Sequence, residues 1–284
     1  MNHMRISTPL LYILSICLFV FATPVNAKKI SKIVIDAGHG GSDVGAKGKF
    51  SYEKDLTLAV ALRLGKMIKD SLKDVQVIYT RTSDVYPSLQ DRHEIANRSK
   101  GDVFISVHVN STADKVTRVP AGYKYVKKGK KKVKQQVYKV IRSHETQASG
   151  TETFVLGLSR NKQKEGAIGE YSDNVVDEPG LMNEDDPQTA IIIAQYSSAF
   201  LDRSVSLGSK IQQQFANQGR MDKGVKQMSL EVLAGSAMPG VLVEIGFINN
   251  PEEEVYLNSE DGQREVTNAI FRGIKAYKVE AERQ

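Results

Sequence analysis

The sequence predicts an α/β fold: a single domain with a mainly parallel, twisted sheet flanked by helices, interrupted by an inserted basic β-hairpin and an acidic segment. Three observations predict it. Short β-branched runs at residues 30–36 and 103–109 each lead into a histidine and small or polar residues. Helical periodicity at 53–72 and 88–100 separates these runs, and another apolar run at 241–246 precedes a C-terminal helix. Strands alternating with helices form βαβ units, and those build parallel sheets.

The first run, Ile33-Val34-Ile35-Asp36, enters the turn Ala37-Gly38-His39-Gly40-Gly41, the pattern of a buried strand ending in a glycine-rich loop. Leu56, Val60, Leu64 and Ile68 then recur at four-residue steps and mark an amphipathic helix. A strand at 75–80, a helix at 88–100 and a strand at 103–109 follow, the last running into His108-Val109-Asn110-Ser111. An insertion occupies about 112–186. In it, strands at 123–126 and 137–141 flank the run Lys127-Lys128-Gly129-Lys130-Lys131-Lys132, a basic hairpin whose lysines discourage pairing with other strands. The sheet resumes at 153–158. Residues 159–186 carry Glu165, Glu170, Asp173, Asp177, Glu178, Glu184 and Asp185 with little apolar periodicity, which predicts a mobile segment with at most a short helix. A long helix at 187–217, strands near 227–233 and 241–246, and a helix at 263–277 complete the domain, with no repeat and no second domain.

Residues 1–27 hold one Arg, no acid and an apolar run at 10–22 that closes in Val25-Asn26-Ala27. They are expected to be a secretory signal peptide, since the run is too short to span a bilayer comfortably. Ile16, bulky and just before the only cysteine, Cys17, argues against lipidation. The catalytic domain then spans 28–284, contains no cysteine, and excludes both disulfides and a thiol nucleophile. Loss of Arg5 takes the formal charge from +6 to +5. That mild basicity suits an anionic polymer, nucleic acid or a membrane surface equally.

The residues that point to chemistry are His39 and His108, just past two parallel strands, and Glu53, which opens the helix after the first. Parallel sheets place ligand sites at the carboxyl ends of their strands, and two histidines plus one glutamate form a ligand set for catalytic zinc with an open fourth position. Glu244 lies near the end of the apolar strand Val241-Leu242-Val243, where it would be an uncompensated buried charge unless it has a partner. Singly, His39 reads equally as a turn cap, Glu53 as a helix N-terminal acid and His108 as a satisfied core histidine. The recurrence of one placement, an ionisable group at a strand end, is what argues for a metal.

The same segments resemble the zinc-dependent N-acetylmuramoyl-L-alanine amidases of the type that splits dividing bacterial cells. The resemblance rests on residues 33–41, Glu53 with its helix, Tyr79-Thr80-Arg81, Leu89-Gln90-Asp91-Arg92 with Ala96-Asn97, residues 104–111, and the run 238–250, in order over 30–277. It implies that one zinc is bound by His39, Glu53 and His108, and that Glu244 is the catalytic carboxylate, passing a proton from water to the departing alanine nitrogen. Peptidoglycan is the implied substrate and the periplasm or cell envelope the implied location, with no nucleic-acid partner and no membrane anchor once the signal is cleaved. No matched position departs in residue type, but the hairpin and acidic segment exceed the minimal domain. Septal relatives carry an inhibitory segment in a comparable place, so 159–186 is expected to cover the site until a protein activator displaces it. Glu165 and Glu170 are the candidate inhibitory ligands, brought to the metal by a turn at 166–169. Alternatives are another zinc amide hydrolase, peptidase or deacetylase, although the helical His-Glu-x-x-His signature is absent, and a wall-binding protein of the same fold held inactive. The hairpin lysines have a second reading as a wall-binding patch.

Overall fold

The computed structural model describes residues 29–175 and 188–283; the expected signal peptide and residues 176–187 lie outside them. Along the chain, β1 (Lys32–Ala37) turns into α1 (Glu53–Ser71), and β2 (Gln76–Tyr79), α2 (Leu89–Arg98) and β3 (Val103–Asn110) follow. The hairpin β4 (Lys115–Lys128) and β5 (Lys131–Ser143) comes next, then β6 (Thr151–Leu156), a 3₁₀ turn at Leu158–Arg160, and the helices α3 (Asn161–Glu170), α4 (Ser172–Val175) and α5 (Thr189–Asn217). β7 (Asp222–Met228), α6 (Glu231–Ala234), β8 (Gly240–Phe247), α7 (Pro251–Asn258) and α8 (Glu260–Ala281) complete it.

Six strands form one sheet in the order β2-β1-β3-β8-β6-β7. β2, β1, β3 and β8 are mutually parallel, whereas β6 runs antiparallel to β8 and carries β7 parallel to itself. The reversal has a topological cause. β4 and β5 pair at their outer ends, Lys115 opposite Ser143, so the hairpin returns the chain to the same end of the sheet that β3 has just reached, and β6 must run back.

The central strands are buried on both faces, which is why their sequences are continuous rather than alternating. Ile33, Ile35, Ile105, Val243 and Ile245 pack beneath Val60 and Leu64 of α1, Ile211 and Phe215 of α5 and Ile270 and Ile274 of α8. Val34, Phe104 and Leu242 face the other way, onto Ala96 of α2, Val232 and Leu233 of α6, and Met238.

Two expectations shift. The strand expected near 227–233 lies earlier, as β7, because Leu230, Val232 and Leu233 belong to α6 and its approach, covering the second face of the sheet. α7 was hidden in a polar run. Asn250 caps it by accepting from Glu252 and Glu253 N–H, with Pro251 in its first turn.

The expectation of a mobile acidic segment is corrected over its described part, which forms α3 and α4. Ala167, Ile168 and Val175 pack with Phe200 and Ala237. Lys164 is buried, and its Nζ donates to the carbonyls of Leu233 (3.1 Å), Met238 (2.6 Å) and Ser236. An acidic composition concealed an inward face made of two apolar side chains and one lysine stem. Burial pushes the Lys164 amine down to about 7, against an ordinary 10.5. A lysine depressed in the folded state is protonated more often in the unfolded chain between those two values, so this group makes folding more favourable as pH rises from about 7 toward 10.5. Lys164→Met should leave the buried carbonyls of Ser236 and Met238 without their side-chain donor, since Leu233 O keeps the Ser236 hydroxyl, cost about 2–4 kcal/mol and flatten that alkaline limb of stability. Urea denaturation of both proteins across pH checks it, and an unchanged midpoint would contradict the anchoring.

Candidate metal centre

At the carboxyl end of β1 the chain turns through His39 (φ 59°), Gly40 (φ 128°) and Gly41 (φ 54°). The glycines adopt these values freely, but His39 does not, and a non-glycine held in the left-handed region marks a place where surrounding structure dictates the backbone. Two arginines dictate it here. Arg81 Nε donates to Ala37 O (2.9 Å) and its Nη2 to Gly38 O (2.8 Å), and Arg92 Nη2 donates to His39 O (2.8 Å). Arg92 is itself fixed by the buried Asp36. Burial pushes that carboxyl up, but the guanidinium and the hydroxyls of Ser106 and Thr80 outweigh it and hold Asp36 below the ordinary carboxylate range.

β3 is the neighbour of β1, so His108 arrives beside His39, with ring centroids 4.9 Å apart and the rings edge to face. Glu53, the first residue of α1, lies between them. Its Oε1 is 2.9 Å from His108 Nδ1, and its Oε2 is 3.1 Å from His39 Nε2. Its oxygens also accept from Val109 N–H (3.0 Å) and Ala46 N–H (2.7 Å). Burial alone would raise its pKa, but the two imidazoles hold it well below the usual range, so it is a carboxylate. The helix N-terminus favours the same state.

The donor atoms of His39, Glu53 and His108 all lie within 4.8 Å of one another. The sequence names these three from separate segments, and the structure brings them together. Whether they suit a cation can be tested on their surroundings. A Cβ on Gly38 would stand 2.4 Å from the His108 ring, and one on Gly45 would stand 2.6 Å from Glu53 Oε2 and 2.7 Å from His39 Cδ2. The backbone is thus kept bare on two sides to seat the donors. Asp43 Oδ2 lies 2.8 Å from His39 Nδ1, and Asp43 Oδ1 accepts from Gly45 N–H (3.1 Å), an arrangement that aims Nε2 at the cluster. Burial lowers the His39 pKa, yet Glu53 and Asp43 outweigh it and raise it. Two imidazoles, an ionised carboxylate and an orienting carboxylate fit a divalent cation.

Glu244 sits on β8 directly opposite His108, beside an irregularity between His108 and Asn110 that re-aims the strand. Its Oε2 is shut from solvent and has no hydrogen-bond partner among the described residues. Burial, with Glu53 and Glu152 nearby, pushes its pKa well up. Glu152 faces Glu244 from β6 and is held by Asn110 Nδ2 and Lys226 Nζ. Sequence reasoning passed over Glu152 and Asp43. A charge inside the apolar run Thr153-Phe154-Val155-Leu156 at its start, and a carboxylate four residues after a strand-end histidine, were the available signals.

His39 and His108 line one cleft together with Asp36, Tyr86, Leu230 and Leu242. Glu165 and Glu170 lie elsewhere. Glu165 lines a pocket with Leu156, Ser197 and Phe200, and Glu170 one with His93, Asn97 and Glu231. Residues 166–169 are helical and not a turn, and neither carboxylate is among the donors of the cluster. The lysine anchor on α3 fixes them there.

Gly38→Ala should displace the His108 ring and abolish metal binding in a protein that still folds, and Asp43→Asn should weaken binding by about 10–100-fold. Metal analysis and competitive chelator titration, with circular dichroism as the folding control, check both. Full metal occupancy in Gly38→Ala would contradict the geometry.

The N-acetylmuramoyl-L-alanine amidase family model matches residues 33–276. The chain is 29% identical to N-acetylmuramoyl-L-alanine amidase AmiC of Escherichia coli over 248 residues, which are 86% of this chain and 52% of that protein. It is also 29% identical to the probable amidase AmiB of Haemophilus influenzae over 274 residues, covering 91% of this chain and 53% of that one, so the chain spans about half the length of these relatives. The crystal structure of an N-acetylmuramoyl-L-alanine amidase from Clostridium difficile superposes with a TM-score of 0.57 at 27% identity, covering 88% of this chain and 97% of the other. With the match running from β1 to α8, through every strand of the sheet and both histidines, this chain belongs to the N-acetylmuramoyl-L-alanine amidase family.

Proposed function

We propose that the protein is a secreted amidase that hydrolyses the bond between N-acetylmuramic acid and L-alanine in peptidoglycan, using one zinc held by His39, Glu53 and His108. The observation that carries this is the pairing of a converged His-Glu-His donor set with an orphaned carboxylate, Glu244, on the adjacent strand.

Zinc, when bound, supplies Lewis acidity that brings a water pKa from ~15.7 toward about 7. The residues of the chain do the rest. Burial, with Glu53 and Glu152 nearby, raises Glu244 above the ordinary carboxylate range, which makes it a stronger base than an exposed carboxylate. It takes a proton from the attacking water as oxygen bonds to the lactyl carbonyl carbon. It then gives that proton to the alanine nitrogen as the C–N bond breaks, leaving a lactyl carboxylic acid and a free peptide amine. Glu152, held by Asn110 and Lys226, keeps a second negative charge beside Glu244 and helps it stay protonated between the two steps. Asp43 orients His39, and Arg92 holds the turn beneath it.

No described helix is long and apolar enough to cross a membrane, and export through residues 1–27 is part of the proposal. A peptidase or deacetylase would use the same donors, and an inactive wall-binding protein would share the fold. Control by a protein activator rests on the family resemblance; Glu165 and Glu170 of α3 are not among the described donors that cluster with His39, Glu53 and His108. Digestion of purified peptidoglycan separates these readings: released stem peptides beginning in L-alanine identify the amidase, shortened peptides a peptidase, and no product a binder. Glu244→Gln should keep metal and fold yet lose about 10²–10⁴-fold in turnover, measured on the same substrate; wild-type turnover would remove Glu244 from the mechanism.

A further inference from the structure

The basicity of this protein sits on one element. From Lys115 to Ser143, eleven of twenty-nine residues are Lys or Arg and none is acidic. Subtracting them from the formal +6 of the chain leaves −5 on everything else. β4 and β5 are exposed along almost their entire length and, at roughly 3.3 Å per residue, form an arm on the order of 45 Å long.

Stability does not explain this sequence. A lone two-stranded ribbon buries little, and this one sets Lys127 opposite Lys132 and Lys128 opposite Lys131, pairings that destabilise a hairpin. Protecting two edges from aggregation needs a few lysines, not eleven cations. Strand alternation and register put Tyr123, Tyr125 and Lys127 on one face with Gln136, Lys134 and Lys132. The tyrosines are 60% and 71% exposed, and Lys134 Nζ lies 4.1 Å from the centroid of the Tyr123 ring. That face offers cations beside flat, open aromatic surfaces.

The arm is rooted at the metal centre. It begins five residues after Asn110, the last residue of β3. Asn249, just past β8, donates through Nδ2 to Thr112 O (3.0 Å) and His144 O (2.7 Å), holding both legs of the hairpin. The His144 ring is 2.8 Å from Asp114 and 2.6 Å from Lys47 O, in the loop between His39 and Glu53.

We propose that the β4–β5 hairpin is a substrate-gripping arm that binds the peptidoglycan polymer through its stem-peptide carboxylates, with Tyr123 and Tyr125 against its sugar rings, and holds the strand at the rim of the metal centre. The inference rests on the reading of the substrate given above. A polymer carrying one or more free carboxylates on each stem is the charge complement of a row of lysines, and multivalent contact makes individually weak ion pairs cumulative.

The test uses the full chain and a variant with Lys127, Lys128, Lys130, Lys131, Lys132 and Lys134 changed to Ser. Co-sedimentation is measured with sacculi stripped of covalently attached anionic polymers, at low and high salt, and with sacculi whose carboxylates have been amidated. Turnover is measured on a soluble muramoyl-peptide too small to reach the arm. The variant should bind sacculi about tenfold or more weakly, since six exposed ion pairs are lost together. The parent should lose binding to a similar degree on amidated sacculi and in high salt. Soluble-substrate turnover should stay within about twofold, because the arm touches no metal donor. Variant binding equal to the parent overturns the proposal, as does parent binding that ignores amidation or that favours anionic vesicles or nucleic acid over sacculi. If the parent releases no stem peptides while lysine-dependent, carboxylate-dependent binding persists, the amidase reading fails and the arm stands.

Discussion

A carboxylate at 4% exposure is unfavourable unless donors surround it, and Glu53 finds four of them on three stretches of chain. Ala46 N–H comes from the turn after β1, Val109 N–H and His108 from the end of β3, and His39 from the glycine-rich turn. The glutamate can be buried only if β1, β3 and the start of α1 are all in place, and those are the elements that stack the core of Val60, Leu64, Ile33 and Ile105. Packing therefore sets the geometry of the site, and the site in turn constrains how β1 and β3 may end. The left-handed His39 is tolerated on the same terms, since Arg81 and Arg92 leave its carbonyl and those before it no alternative partners of equal quality.

Much of this is legible in the amino-acid sequence itself. His39, His108 and Glu244 are conspicuous together because the same placement, a titratable side chain at the end of an apolar strand, recurs, and Glu53 opens the helix after the first of them. The central strands and the long helices are legible because burial on one or two faces leaves a period. Less is readable where that link weakens. β7 lies at the edge of the sheet and keeps few apolar residues, so the stronger apolar signal of α6 next to it took its place. α3 is held by Lys164, whose charge reads as solvent-facing although the amine is enclosed by carbonyls. The inhibitory placement of Glu165 and Glu170 draws on the family resemblance and on a turn expected at 166–169, where the chain is helical instead. Glu152 escaped because its strand follows the insertion, where the alternating pattern had already been broken.

The position of Glu152 depends on strand direction. Because β6 opposes β8, its first residues pair with β8 at the level of His108, and Glu152 stands opposite Glu244. Had β6 been parallel, that end would have received the far side of the strand, near Leu156. The hairpin that reverses the chain thereby delivers a second carboxylate and its Lys226 partner to the reacting end of the sheet.

Since Lys115 and Ser143 are directly paired, the two points where the arm leaves and rejoins the domain are separated by one cross-strand spacing, about 5 Å. The domain therefore senses only that gap and not what fills it. The arm can gain or lose residue pairs, or be replaced by a tight turn, without altering the register of any strand in the main sheet. Its length and charge are thus uncoupled from the register of the main sheet, while the buried ionic cluster around Glu53 ties β1, β3 and α1 to one arrangement.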